Sequence, residues 1–248
     1  MARHVAAWCV AILLGASSAH AAGIRVLASN GVKAAVEALT PQLEKASGGT
    51  LSIEFSTTAT LRERIEKGEA FDVAILTDDA MEALAKAGKV APMQTRLARV
   101  GIGVGYRTGT AKPDVRTAAA IKQALLSAKA IAYTGNGASR PAIDTMIERL
   151  GIAKQMQAKS RLTAAGAAPA AVAKGEADLV MTLISEILPE PGVELAGPLP
   201  SDFQTYLVFA AAPSPKASTN ANVLALIKFL RTPAAASTYS AKGMEATQ

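Results

Sequence analysis

Three times between residues 24 and 88 a short apolar run gives way to a longer stretch with helical spacing, and that alternation admits few folds. Ile24-Arg25-Val26-Leu27-Ala28 reads as a strand that runs through Ser29-Asn30-Gly31 into a helix reaching about Lys45, closed by Ser47-Gly48-Gly49. Leu51 to Phe55 is a second strand, and Ser56-Thr57-Thr58 leads from it into a helix to Lys67, with Gly68 as its C-cap. Phe71 to Leu76 is a third, after which Asp78-Asp79 caps a helix ending near Gly88. Such repetition is the sequence signature of βαβ units built around mostly parallel sheets.

From Arg99 to Tyr106, Val100, Ile102 and Val104 interleave with Gly101, Gly103 and Gly105, as in a long strand leaving the first set of units. The glycines lack the spacing and following helix of a dinucleotide motif, so they predict close backbone packing, and no cofactor is expected. The pattern then restarts. Thr117 to Ser127 reads as a helix, Ala130 to Tyr133 as a strand, and Ser139 to Leu150 as a helix closed by Gly151. A helix at Pro169 to Lys174 and strands at Leu179 to Thr182 and Val193 to Ala196 follow, before Gly197-Pro198-Leu199-Pro200 breaks the chain. Gln204 to Ala211 is apolar enough to be a strand returned to the first set, and helices at Val223 to Leu230 and Ala234 to Lys242 close the chain. Two passages, near 99 and near 201, divide it into a lobe of residues 22–98 plus 202–248 and a lobe of residues 99–201. The cleft between them suits hinged closure around a ligand.

The first 21 residues read as a secretory signal peptide: Arg3, the apolar run Val5 to Leu14, and the small-x-small site Ala19-His20-Ala21. The expected product is soluble and periplasmic, beginning near Ala22. Cys9, Trp8, His4 and His20 all lie in this leader, and they are the sole Cys, Trp and His of the sequence. A mature chain without Cys or His builds neither a Ser-His-Asp or Cys-His nucleophile nor a zinc site of N/S ligands. Loss of Arg3 from the 26 Lys+Arg leaves 25 against 20 Asp+Glu. That balance favours anionic partners, but the basic residues are scattered among acids and aromatics are few, which argues against nucleic acid.

Three loops share one form: a strand end, small hydroxyl or glycine residues, then a helix start. They are Ser29-Asn30-Gly31, Ser56-Thr57-Thr58 and Asn136-Gly137-Ala138-Ser139. Each sets hydroxyls beside unpaired N–H groups at the positive end of a helix, which together cradle an anion. Ordinary N-capping is the alternative for any one of them. Arg62, one turn into its helix, and Arg140, at the first turn of its own, are candidate clamps for a carboxylate or phosphate. Against that, Arg140 has Asp144 four residues on, and Arg62 lies among Glu63, Glu66 and Glu69. Tyr133 and Tyr206 stand at strand ends as lesser candidates, and Thr182 ends the strand of the second lobe.

Ala28-Ser29, Phe55-Ser-Thr-Thr-Ala-Thr-Leu-Arg62 and Phe71-Asp-Val-Ala-Ile-Leu76 resemble the periplasmic molybdate-binding proteins of ABC importers. The likeness extends through Ile131-Ala-Tyr-Thr134, Leu150-Gly-Ile152, Gly175-Glu-Ala-Asp178 and Thr232-Pro-Ala-Ala235. It implies a two-lobed α/β type II periplasmic-binding fold, each lobe a mostly parallel sheet flanked by helices, that holds a tetrahedral oxyanion through hydroxyls and N–H groups of both lobes. Under the resemblance Ser29 matches a hydroxyl ligand and Thr58 takes the place of a second serine. The family's tyrosine ligand falls at Leu183, a departure that weakens molybdate itself. Ile184 to Leu188 and Gly192 to Pro200 look like a divergent branch. The wider group includes binders of citrate-like or phosphorylated acids and an aconitate isomerase, and Arg140 suits such carboxylates.

The leading expectation is a binding protein that hands a small anion to an inner-membrane ABC permease, the guest being a molybdate-like oxyanion, a phosphate ester or a citrate- or aconitate-like acid. The second is a periplasmic isomerase of a tricarboxylate, with Lys33, Tyr133, Asp144 or Glu186 moving the proton. A third is an adhesion factor that kept the fold and shed transport.

Overall fold

The computed structural model describes residues 23–247, and the leader expected over 1–21 lies outside them. In chain order the elements are β1 (Ile24–Ser29), α1 (Lys33–Ser47), β2 (Leu51–Ser56), α2 (Thr58–Glu66), β3 (Val73–Thr77) and α3 (Asp78–Lys86). The 13-residue strand β4 (Thr95–Arg107) follows, then α4 (Ala118–Ser127), β5 (Ile131–Thr134), α5 (Arg140–Arg149), α6 (Ala153–Lys159) and β6 (Ser160–Thr163). The chain continues with α7 (Ala168–Ala173), β7 (Leu179–Leu183), α8 (Ile184–Ile187), β8 (Val193–Pro198) and β9 (Tyr206–Pro213), and closes with α9 (Ala221–Phe229), α10 (Pro233–Ala241) and β10 (Glu245–Ala246). Among the described residues no helix is long and apolar enough to cross a membrane.

Strand order runs β2-β1-β3-β9-β4-β7-β5-β6, with β8 and β10 also paired to β4. The βαβ units give parallel pairs: β1 with β2 and β3 in one half, β5 with β6 and β7 in the other. The strands that leave and return, β4 and β9, run antiparallel to their neighbours, so each half is a mixed sheet. Successive residues of the central strands serve two helical layers. Val26 and Val73 face a core that reaches α1, α9 and α10, while Leu27, Ala74 and Leu76 face Leu61, Ile65, Met81 and Leu84 of α2 and α3. In the other half Ile131 and Tyr133 join the large core, and Ala132 and Val180 pack with Val172 of α7.

β4 belongs to both halves. Through Gly101 it pairs with β9, ending at Gly101 opposite Tyr206, and from Ile102 opposite Leu183 it pairs with β7. At this changeover a side-chain amide stands in for a neighbouring strand. Ile102 N–H donates to Gln204 Oε1 (2.9 Å), and Gln204 Nε2 donates to the Ile102 carbonyl (2.9 Å), which also receives Leu199 N–H at 3.0 Å. Both passages of chain are thereby fastened at one point.

Beyond the mixed sheets and the short elements α8 and β10, further details depart from the sequence expectations. Thr77, with extended backbone, is the residue before α3, so Asp78 and Asp79 lie in the first turn and meet the helix dipole there, with Asp78 also accepting from Arg96 Nε at 2.9 Å. Residues 153–163, which carried no strong pattern, form α6 and the edge strand β6.

The glycines of β4 do allow close approach. A Cβ on Gly105 would stand 2.7 Å from Val180 Cγ1 and 3.0 Å from both Ile187 Cγ2 and Val193 Cγ1. Gly105→Val is therefore expected to lower the unfolding free energy by about 1–3 kcal/mol through overpacking, read as a lower urea midpoint.

Candidate functional site

β1, β2, β5 and β7 all end on the same side of the molecule, and the loops after them meet between the halves. Ser29, Asn30 and Gly31 follow β1; Thr57 and Thr58 follow β2; Thr134, Gly137, Ala138 and Ser139 follow β5; Thr182, Leu183 and Glu186 end β7 and begin α8, and Gly166 completes the lining. They enclose a cavity of about 10 Å³, the scale of one water molecule. Hydrogen bonds from one half to the other hold it shut: Ser185 Oγ donates to the Gly31 carbonyl (2.7 Å), and Asn136 Nδ2 donates to Thr60 Oγ1 (3.1 Å). Gly31 must be glycine for this closure, because a Cβ there would lie 2.4 Å from Phe209 Cζ and 2.7 Å from Leu183 Cδ1.

The capping reading can be tested residue by residue. Thr57 is an N-cap in the full sense: its Oγ1 accepts from Thr60 N–H at 3.2 Å and it donates to Thr60 Oγ1 at 2.9 Å. Ser29 and Ser139 occupy N-cap positions without making a side-chain cap bond, although they are only 3 % and 6 % exposed. Thr58, 7 % exposed, has a buried Oγ1 with no hydrogen-bond partner among the described residues. A buried hydroxyl left unpaired costs about 1–3 kcal/mol, so Thr58 is placed in a way that helix capping does not explain, and Ser29 and Ser139 make no cap bond either. Backbone donors lie beside them. Thr60 and Leu61 N–H groups both find Thr57 as acceptor, leaving those of Thr58 and Ala59 as the open donors at the positive end of α2.

Seven of the nine residues singled out in the sequence, Ser29, Asn30, Thr57, Thr58, Gly137, Ser139 and Thr182, line this cavity. Arg62 and Arg140 do not. They line an outer groove of about 1020 Å³ that shares Thr58, Gly137 and Ala138 with the cavity and so adjoins it as a mouth. There each arginine is engaged by the acid four residues on. Arg62 Nε donates to Glu66 (2.8 Å), and Arg140 Nε donates to both oxygens of Asp144 (2.7 and 2.8 Å) while its guanidinium lies 4.3 Å from the centre of the Tyr133 ring. Glu63, Glu66, Asp78, Asp79 and Asp144 outnumber the two arginines along the groove.

Glu186 is the one ionisable residue in the cavity lining. Thr182 Oγ1 donates to its carboxylate. Burial lifts this carboxyl above the ordinary range, outweighing the hydrogen bonds from the Thr182 hydroxyl and Leu183 backbone that favour the charged form. The other groups considered for proton transfer lie elsewhere. Lys33 is 3.8 Å from Glu37 and 5.8 Å from the centre of the Phe55 ring, Tyr133 bonds its hydroxyl to Ser160, and Asp144 holds Arg140. Tyr206 is exposed beneath Arg99. Two lining residues were not anticipated from sequence: Thr134, which directly precedes the flagged loop, and Gly166, whose φ of +74° and whose place 3.1 Å (as Cβ) from Asn30 Nδ2 no local pattern links to residue 30. Among the described residues no three His, Cys, Asp or Glu side chains stand close enough to hold a metal ion.

Two mixed α/β halves, joined through one shared strand and a returning passage and meeting over a cavity of hydroxyls and helix starts, define the type II periplasmic-binding fold. The chain belongs to the bacterial extracellular solute-binding proteins, whose family profile it matches over residues 24–245. It is 28 % identical over 228 residues to an aconitate isomerase from Pseudomonas sp., covering 90 % of this chain and 87 % of that one. In structure it is similar to the periplasmic molybdate-binding protein of Azotobacter vinelandii, with a TM-score of 0.76 at 19 % identity over 91 % of this chain and 100 % of that one. The sulfate-binding protein SubI of Mycobacterium tuberculosis superposes with a TM-score of 0.71 at 14 % identity, over 91 % and 87 % of the two chains.

The hydroxyls differ in what they do for the fold. Thr57→Ala should cost about 1 kcal/mol by loss of its cap, whereas Ser29→Ala and Ser139→Ala should stay within about 0.5 kcal/mol of the parent. Urea unfolding of the three variants checks the contrast.

Proposed function

We propose that this protein captures a small oxyanion or carboxylate between its two halves, where the water-sized cavity widens to take it, and delivers it, in the periplasm, to an ABC-type importer. The observation that carries the reading is the unpartnered Oγ1 of Thr58, buried beside the uncommitted hydroxyls of Ser29 and Ser139. Hydroxyls that can turn their O–H inward, gathered beside open N–H groups at helix starts, suit an anion. Ser29, Asn30, Thr57, Thr58, Gly137, Ser139 and Thr182 act as ligands in this reading, and Arg62 and Arg140 guide the guest through the mouth. The lobes are residues 22–98 plus 202–248 and residues 99–201, and they close by turning about the fastened passages at Ile102 and Gln204. Relatives named for binding molybdate and sulfate, together with the extracellular family, support the class of guest and the compartment. The leader read at residues 1–21 supports export.

A second reading is favoured by Glu186 and by the aconitate isomerase relative. An isomerase of a tricarboxylate needs one group that takes a proton from a carbon beside a carboxylate and returns it to another carbon. Of the candidate groups, Glu186 alone lines the cavity.

Thermal-shift measurements with molybdate, tungstate, sulfate, phosphate, citrate and the aconitates distinguish the guests. A ligand present at 100 times its dissociation constant adds about 2.7 kcal/mol of stability, and Thr58→Val should lose most of that gain. Absence of a shift with every anion would overturn the binding reading. Conversion of trans-aconitate to the cis isomer by the parent, abolished in Glu186→Gln, would establish the second.

A further inference from the structure

An anion cavity with a carboxyl group in its wall has a charge problem, and the surroundings of Glu186 show how it is met. The elements packed against α8 are the Asn30–Val32 turn, α1, β4, β7 and β8, together with the turn after α10 at Gly243, whose neighbour Lys242 is not among the cavity-lining residues. The Asn30–Val32 turn and β7 carry no ionisable residue. On α1, Lys33 is drawn to Glu37, Glu44 accepts from Leu51 N–H, and Lys45 is exposed. On β4, Arg96 pairs with Asp78, Arg99 with Glu245 and Tyr106 with Glu194 of β8, while Arg107 is exposed. None of these brings a positive charge to the cavity wall. The α2 and α5 starts that face Glu186 across the cavity contribute Thr58 and Ser139, which are neutral.

An ionised Glu186 would therefore oppose an incoming anion with no cation to offset it. A protonated Glu186 has the opposite character. Thr182 already donates to one of its oxygens, so the added O–H is free to donate into the cavity as a further ligand for the guest. The same balance is reached when the guest brings the proton and donates it to the carboxylate.

We propose that Glu186 is a specificity-determining residue of the cleft, so that the site captures an anion together with one proton shared between Glu186 and the guest. This rests on the anion-binding reading and deepens it. For a guest with no proton of its own, the proton comes from solvent, and the complex holds one more proton than free guest plus ionised protein. The upward push that burial gives the free carboxyl acts in the same direction. The sign follows from linkage: affinity is flat with pH while free Glu186 is protonated, and falls as pH rises beyond its ionisation.

Isothermal titration with sulfate between about pH 5 and pH 9, and with molybdate between about pH 7 and pH 9 where it too is fully ionised, in pairs of buffers of different ionisation enthalpy tests this. The expected result is a Kd that rises about tenfold per pH unit on the alkaline side, with proton uptake there approaching one per anion. Glu186→Gln, checked for an intact melting transition, should bind with no proton uptake and a Kd independent of pH. Binding by the parent without proton uptake at any pH, or a slope that persists in Glu186→Gln, overturns the proposal while leaving anion binding intact. No binding by either variant to any anion of the thermal-shift set overturns the reading beneath it as well.

Discussion

The cleft exists because one strand is shared. β4 gives its first half to β9 and its second half to β7 and β8, so the two halves of the molecule are hydrogen-bonded to a single continuous segment and cannot slide apart along it. Relative motion is left to twisting at the changeover. There the Gln204 amide bonds both backbone groups of Ile102, which keeps a ladder interruption from leaving a buried N–H unpaired. The same strand sets the depth of the cavity. With only hydrogen at Gly103 and Gly105, Ile184 and Ile187 pack directly onto β4, and α8 is drawn in far enough for Ser185 to reach Gly31 and Glu186 to reach the wall.

Apart from Glu186, the cavity on that frame is lined by neutral dipoles, and among the described residues no Lys or Arg stands in its wall. A guanidinium placed in a cavity of this size would have to shed its water before a guest arrived, and the desolvation cost of such a charge is several kcal/mol. Hydroxyls and first-turn N–H groups ask far less, and the helix dipoles of α1, α2 and α5 add their positive ends at no further cost in side-chain ordering. The arginines remain at the mouth, wet and already paired, where water screens their interaction with carboxylates. One consequence is selectivity by shape and donor count: a cavity of fixed donors rewards a guest whose oxygens match their positions.

How far the sequence announced this depends on the range of the signal. The strands and helices of both halves were legible because each carries its own period, and the three loops were legible because strand, hydroxyl and helix start are adjacent in the chain. Thr57 shows the ordinary purpose of such a loop, and its cap bond is what local sequence predicts. That Ser29, Thr58 and Ser139 escape that purpose is a fact about what lies opposite them. The arginines are paired with Glu66 and Asp144 in this structure, and the i, i+4 spacing that pairs them was already present in the sequence. Asp78 and Asp79 attracted the capping role because acids favour helix starts, yet Thr77 was the residue with extended backbone. β6 was hidden because a four-residue edge strand with two exposed positions carries too little apolar alternation to be seen. Gly166 and Glu186 reach the wall through topology alone.

Closure is a contest between contacts of similar size. The shut form has the Ser185–Gly31 and Asn136–Thr60 hydrogen bonds and the packing of Gly31 between Phe209 and Leu183. Each hydrogen bond is worth about 0.5–1.5 kcal/mol net. Against them stands the Thr58 hydroxyl, which water can reach in an open cleft and which closure leaves unpaired at about 1–3 kcal/mol. The hydrogen bonds and the penalty are of the same order, so in the proposed reading a guest that relieves the penalty shifts the balance toward the closed form. An oxygen that accepts from Thr58 removes the main penalty of the closed form and contributes nothing comparable to an open one, so its differential affinity falls on the closed state. In the proposed reading, the buried orphan is the part of the site that couples recognition to motion.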